Sequence, residues 1–314
     1  MWLEWDPGSS SEGQSDMRDF EYEAPTSLAD AIDLLAQNNG RARPLAGGTD
    51  LIDHVRMGRL EPDLIIDVKK LAELNVLELN GDGLRLGAAV PCCRVIECAE
   101  TSQQYAALSD SGKIIGGIQI QSRASFGGNI CNSGPAADST PSIIVLEGAC
   151  VIAGPDGTRE VPAEYFCTGP GKNVLKPGEL LVEMKFPARP ANSGSHYRRF
   201  IPRNEMDIAV VGVAVAVTLD DSKENFVSAR IALGAVGPIP LFAEAAGEAL
   251  AGRPVNDESI AQAAAAAREI ATPITDMRGT AEYRDHLVGV LTERVVKAAV
   301  VRARGEELIH KPGF

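Results

Sequence analysis

Ser27 sits where a helix N-cap belongs, and Leu28, Ala31, Ile32, Leu34 and Leu35 follow it at helical spacing until Gly40 closes the segment. Arg43-Pro44-Leu45-Ala46 reads as a short strand, Leu51 to Met57 as a second short helix, and Asp63 to Val68 as another strand. The opening is thus a small α/β unit that ends near Val68. The pattern then changes to alternation. Asn75 to Leu79 and Leu84 to Ala88, joined by Gly81-Asp82-Gly83, predict a β-hairpin. Short segments continue to Phe186, among them Cys150 to Ala153 and a Pro155-Asp156-Gly157 turn. One or two helices are expected to interrupt them, near Arg94 to Ala99 and Ser142 to Leu146.

Pro187 to Ser195 has the composition of a linker. Beyond it, Ile208 to Leu219 and Ser228 to Val236 predict an antiparallel pair of strands. Helices over Ile260 to Ala271 and Tyr283 to Arg302 then cover one face of that sheet; the second places Leu287, Leu291 and Val295 on one stripe. The expected organisation is a tail over 1–16, one unit over 17–70, a second over 71–186, a linker over 187–195, a C-terminal α+β unit over 196–304 and a tail over 305–314.

Composition narrows the function. Hydrophobic residues make up 45% of the 314 positions and charged ones 23%, ordinary for a globular protein. A formal net charge of −13 speaks against a nucleic-acid surface. The most apolar run, Ile208 to Leu219, is far short of the ~20 residues of a membrane span. Without a signal peptide, the six cysteines (Cys92, Cys93, Cys98, Cys131, Cys150 and Cys167) read as free thiols of a cytoplasmic chain. Cys92, Cys93 and Cys98 lack a second ligand pair, and the four histidines are scattered, so no metal site is expected.

The candidate chemistry lies in two glycine pairs. They read Pro44-Leu45-Ala46-Gly47-Gly48-Thr49-Asp50-Leu51 and Ala124-Ser125-Phe126-Gly127-Gly128-Asn129-Ile130. Adjacent glycines let several backbone N–H groups converge on one anion without obstruction by Cβ atoms. Neither loop has the G-x-G-x-x-G spacing of a Rossmann turn or the ending of a Walker A loop. Each does carry a hydroxyl (Thr49, Ser125) and a polar neighbour (Asp50, Asn129) that suit phosphate or ribose. Asp138 reads either as a helix cap for the segment after Pro141 or as a hydrogen-bond partner of a cofactor.

These two loops, with the Asp138 loop, resemble the FAD-binding medium subunit of the xanthine dehydrogenase and carbon monoxide dehydrogenase family, the molybdenum hydroxylases. Glu179-Leu180-Leu181, Tyr197-x-Arg199-Phe200 with Arg203, Asp207-Ile208-Ala209, Ile231-Ala232-Leu233-Gly234 and Ala281-Glu282-Tyr283-Arg284 extend the resemblance from Phe20 to Arg302. It implies an α+β chain: a PCMH-type FAD-binding fold of two α/β subdomains, followed by a sheet-plus-helices domain. By position it implies that Arg43, Pro44, Leu45, Ala46, Gly47, Gly48, Thr49 and Asp50 form one FAD loop, and Ser125, Phe126, Gly127, Gly128 and Asn129 the other. Ile115 and Leu181 fall where apolar side chains lie near the flavin, Asp138 where a carboxylate touches it, and Arg199 where a lysine is common. Gln121-Ser122 departs from the frequent Arg-Asn, and Asn173 from a frequent threonine.

The same resemblance implies a division of labour. The chain would carry electrons on FAD from the clusters of a small iron–sulfur subunit, in a complex with a large molybdopterin subunit. The acceptor would be NAD, a quinone, a carrier protein or oxygen, and the complex a dimer of heterotrimers. The chain itself would hold no catalytic side chain, since the redox chemistry belongs to the cofactor. Two other readings are a stand-alone flavin oxidoreductase, which would need its own substrate pocket, and a scaffold that has lost FAD, against which the intact glycines stand.

Overall fold

The computed structural model describes residues 17–38, 40–203 and 206–308, so the tail expected over 1–16 and the last six residues of the C-terminal one lie outside the described residues. The first unit runs β1 (Glu21–Glu23), α1 (Leu28–Gln37), β2 (Ala42–Leu45), α2 (Leu51–Arg56) and β3 (Leu64–Asp67). Its strands form a parallel sheet in the order β1-β3-β2. Ser27 caps α1 as its sequence predicts, its hydroxyl accepting from the Asp30 N–H at 3.1 Å. Strand β1 is polar and exposed, which is why the hydrophobic pattern does not announce it. The first glycine pair follows the carboxyl end of β2, the edge at which open α/β sheets receive ligands.

A 3₁₀ turn (Ala72–Asn75) leads into β4 (Leu77–Asn80) and β5 (Gly83–Gly87), so the hairpin begins two residues later than expected. The larger difference comes next. Where one or two helices are expected, six occur: α3 (Cys92–Glu97), α4 (Ala99–Gln104), α5 (Ala106–Gly112), α6 (Ile118–Gln121), α7 (Phe126–Asn132) and α8 (Ser139–Val145). None exceeds seven residues, a length at which a helix is held by tertiary packing rather than by propensity. Strands β6 (Ala149–Gly154), β7 (Gly157–Pro162), the small pair β8 (Cys167–Gly169) and β9 (Lys172–Asn173), and β10 (Leu180–Pro187) complete this part. β10 lies at the centre of an antiparallel sheet ordered β4-β5-β10-β6-β7.

The segment expected as a linker is shorter, because Pro187 ends β10 and Ser193 already begins β11 (Ser193–Phe200). β12 (Val211–Leu219) and β13 (Phe226–Gly234) are the expected antiparallel pair, and β11 and the short β14 (Leu241–Phe242) flank them in the order β11-β12-β13-β14. Helices α9 (Glu244–Glu248), α10 (Asp257–Glu269) and α11 (Ala281–Ala303) follow. Alternation along β12 separates two cores. Val213, Val215 and Val217 pack with Leu287, Leu291 and Val295, whereas Ala214 and Ala216 join Tyr197, Ala107, Leu108 and Ile143. Helices therefore cover both faces of this sheet, not one, and the small alanines let α5 and α8 approach the inner face closely. All six cysteines are free, and burial pushes the Cys92 and Cys131 thiols up to about 12, so these two remain protonated packing groups. Among the described residues no helix is long and apolar enough to cross a membrane.

Candidate functional site

The two glycine pairs, ~80 residues apart in sequence, meet in space. A Cβ added to Gly47 would lie 2.0 Å from the Arg123 carbonyl oxygen and 2.9 Å from the Ala124 nitrogen, so only glycine allows the first loop to seat on the approach to the second. The Arg123 side chain turns back over the contact, its Nε donating to the Gly47 carbonyl at 3.0 Å. Gly48 has φ +75°, the left-handed region that suits glycine. Gly47, Gly48 and Thr49 are partly exposed. Asp50 starts α2 without a side-chain cap bond; its carboxyl is solvent-exposed, yet surrounding protein partly desolvates it and raises its pKa.

The second pair is the first turn of a helix rather than a free loop. Ser125 is the N-cap of α7, and its buried hydroxyl accepts from the Gly128 N–H at 3.0 Å. That hydroxyl is therefore spent on the helix. The N–H groups at the start of the helix have no intrahelical acceptor and carry the positive end of its dipole. Gly127 is fixed by packing: its Cβ would lie 2.5 Å from Ala88 Cα, so the glycine lets α7 sit on the end of β5. Gly128, by contrast, is exposed. Asn129 is tied down from its side, its Oδ1 accepting from the Ser139 hydroxyl at 2.6 Å, which joins α7 to α8.

Asp138 stands at the N-cap position of α8 but makes no side-chain cap bond. Its carboxylate accepts from the Tyr197 hydroxyl at 2.8 Å and from Arg199 Nη1 at 2.5 Å, both on β11. Asp138 and Arg199 thus stand side by side, and Asp138 holds the N-cap position of α8 without using its side chain as the cap. Burial pushes the Asp138 carboxyl up to about 6, against the Arg199 charge and the Tyr197 hydrogen bond. Arg199 Nε is buried without a partner among the described residues, a donor still to be satisfied at this spot.

The remaining expected residues divide. Ile115 is partly buried beside the core, four residues after Ser111 in the turn that leads to α6. Leu181 is only 2% exposed, and Phe126 fully buried, so both belong to the floor of the core rather than to an open wall. Leu45 is a core residue as well, and Pro44 is exposed on β2. Arg43 does not join the others: its guanidinium donates back to the carbonyls of Gly40 and Ala42, away from Gly47.

Two groups of residues escape the sequence reading. Arg123 supplies a cation at the junction, one position beyond the Gln121-Ser122 departure, and its signal was its place immediately before the second loop. Asp110 on α5 is the other. It accepts from Arg302 at 2.5 and 2.8 Å, pairs with His196 Nδ1 at 2.6 Å and accepts from the Tyr197 N–H at 3.2 Å. This buried network bolts β11, with Tyr197 and Arg199, to the helical layer. No spacing in the sequence announces it, because its members lie up to 192 residues apart.

Comparison with known proteins gives the family. Residues 18–189 match the family model described as the FAD binding domain in molybdopterin dehydrogenase, and residues 196–299 the CO dehydrogenase flavoprotein C-terminal domain. The chain is 35% identical to a putative xanthine dehydrogenase FAD-binding subunit of Escherichia coli K12, over 92% of this chain and 99% of that protein. It is 32% identical to the carbon monoxide dehydrogenase medium chain of Afipia carboxidovorans, over 91% and 98%. Among solved structures, a chain of carbon monoxide dehydrogenase from Hydrogenophaga pseudoflava superposes with a TM-score of 0.87 at 32% identity, covering 91% of this chain and 99% of that one. Quinoline 2-oxidoreductase from Pseudomonas putida 86 gives 0.84 at 27% identity, over 92% and 99%. The chain belongs to the molybdopterin dehydrogenase family, as an FAD-binding oxidoreductase subunit of the xanthine and carbon monoxide dehydrogenase type.

Proposed function

We propose that this chain is the electron-transfer subunit of a molybdenum hydroxylase complex, with a small iron–sulfur subunit and a large molybdopterin subunit as partners. The observation that carries the reading is the junction of Gly47 with Arg123 and Ala124, which sets the two glycine-bearing turns side by side. A diphosphate needs several backbone N–H groups from more than one direction, and the part-exposed Gly48 and exposed Gly128 leave it room. Ala46 to Thr49 would hold the diphosphate from one side, and the helix start from Ser125 to Asn129 from the other. Arg43 and Pro44 shape the strand that delivers the first turn, and Asp50 begins the helix that follows it.

The buried Asp138–Arg199 pair and Ile115 are then the groups that meet the isoalloxazine end, with the unsatisfied Arg199 Nε available to it. Leu181 supports that end from within the core. The flavin supplies the redox chemistry when bound, taking electrons from the partner's iron–sulfur clusters and delivering them to an external acceptor such as NAD, a quinone, a carrier protein or oxygen. The task of this chain is to bind that group, orient it and set the charge around it. Relatives described as subunits and medium chains support an assembly in trans, here read as a cytoplasmic dimer of heterotrimers.

Purification of the chain with its neighbours tests this directly. The complex is expected to be yellow, to release one FAD per copy of this chain on denaturation, and to contain both partners by native mass spectrometry. A folded, colourless complex that takes up no added FAD would contradict the reading.

A further inference from the structure

Arg123 is the only charged residue between Lys113 and Asp138, a stretch otherwise made of small, apolar and amide side chains. It is exposed, and among the described residues it forms no ion pair. Its Nε hydrogen bond goes instead to a main-chain carbonyl, that of Gly47. A trans peptide points its C=O and its N–H in opposite directions. Fixing the Gly47 carbonyl on Arg123 therefore fixes the Gly48 N–H on the far side of the same peptide plane. A Gly-Gly peptide has little else to stop it rotating, because neither residue has a Cβ to restrict φ and ψ.

We propose that Arg123 is a positioning residue that sets the orientation of the Gly47–Gly48 peptide and so aims the Gly48 N–H at the diphosphate of the bound dinucleotide. The proposal rests on the cofactor reading above and assigns to Arg123 a role that the glycine loops alone do not explain. The main-chain contact between Gly47 and Arg123 does not depend on the guanidinium, so removing the side chain leaves the two segments packed. The effect on the ligand is thereby separable from the effect on the fold.

The test compares three ligands on the full-length, flavin-stripped chain: FAD, ADP, which has the diphosphate without the flavin, and riboflavin, which has the flavin without the diphosphate. Arg123→Met, similar in length but without a donor, is expected to weaken FAD and ADP in parallel by about tenfold, the loss of one well-aimed hydrogen bond to a charged group. Riboflavin binding is expected to be unchanged. Arg123→Lys, which keeps a donor of similar reach, is expected to recover most of the loss. Equal weakening of all three ligands by Arg123→Met, or no weakening of FAD, overturns the proposal. Should Arg123→Met fail to fold, Arg123→Ala carries the same comparison: a loss for FAD and ADP that exceeds the loss for riboflavin supports the role, and equal losses overturn it. Failure of the unmodified chain to bind FAD at all would instead overturn the cofactor reading.

Discussion

Substituting alanine for Gly47 is expected to abolish tight flavin binding while leaving a folded protein. The new Cβ would lie 2.0 Å from the Arg123 carbonyl oxygen and 2.5 Å from its carbon, main-chain atoms that cannot rotate out of the way. One turn must move off the other. Overpacking of this kind costs about 1–3 kcal/mol of stability. The ligand loses more, because displacing the cradle forfeits two or so hydrogen bonds to a charged group at about 1.5–3 kcal/mol each, a loss of about a hundredfold or greater in affinity. Gly134→Ala is the control: its Cβ meets nothing within 4 Å, and both stability and FAD affinity are expected to stay at wild-type values. Flavin titration with a thermal melt on each variant reads both quantities. A Gly47→Ala protein that binds FAD like wild type would mean the junction has no part in the site.

The second large effect is on stability. Asp110 is partly buried, with Arg302, His196 and the Tyr197 N–H all directed at its carboxylate. Its removal in Asp110→Ala leaves the Arg302 guanidinium without its carboxylate, holding only the Ser195 carbonyl, a change expected to cost about 3 kcal/mol. The pH dependence has a definite sign. Burial alone would raise the Asp110 pKa, but the Arg302 and His196 hydrogen bonds win and hold it at about 2, below its ordinary value. A depressed carboxylate contributes stability that is fully present above the ordinary carboxylate range and is lost as pH falls through that range toward about 2. The contribution is about 2–3 kcal/mol. Urea unfolding between pH 6 and pH 3 is expected to show wild type losing more stability than Asp110→Asn as the pH drops. Parallel curves for the two proteins would show that the network has no net electrostatic value.

Much of the fold was legible in the chain where the pattern was long or strongly periodic. Helix α1 with its Ser27 cap, the strands β2 and β3, the long strand β12 and helix α11 all stand near their expected positions. Helices α3 to α8 were mostly missed for a physical reason. Ala106–Gly112 is too short to show a periodic stripe and is buried almost all round, whereas α8, equally buried, was expected only from Ser142 onward. A helix enclosed on every side has no polar face to contrast with its apolar one.

Strand β11 was hidden differently. Its sequence, Ser-Gly-Ser-His-Tyr-Arg-Arg-Phe, reads as polar because Asp110 and Asp138 reach it from another layer and neutralise it in place. The two glycine pairs were visible, but their duties were not equal. Gly47 and Gly127 serve close packing, against Arg123 and Ala88, while Gly48 serves a turn and Gly128 stays open. Sequence gives the residue type and not the neighbour that demands it. Of the positions singled out by family likeness, Asp138 and Arg199 stand side by side, whereas the Arg43 guanidinium bonds back to the carbonyls of Gly40 and Ala42.

Hydrogen–deuterium exchange on the flavin-stripped chain, with and without saturating FAD, tests most directly whether both segments grip one diphosphate. The account predicts that amides in 46–49 and in 126–129 become protected together, at the same FAD concentration, and that ADP alone reproduces most of that protection. Protection confined to one of the two segments, or found only elsewhere in the chain, would contradict it.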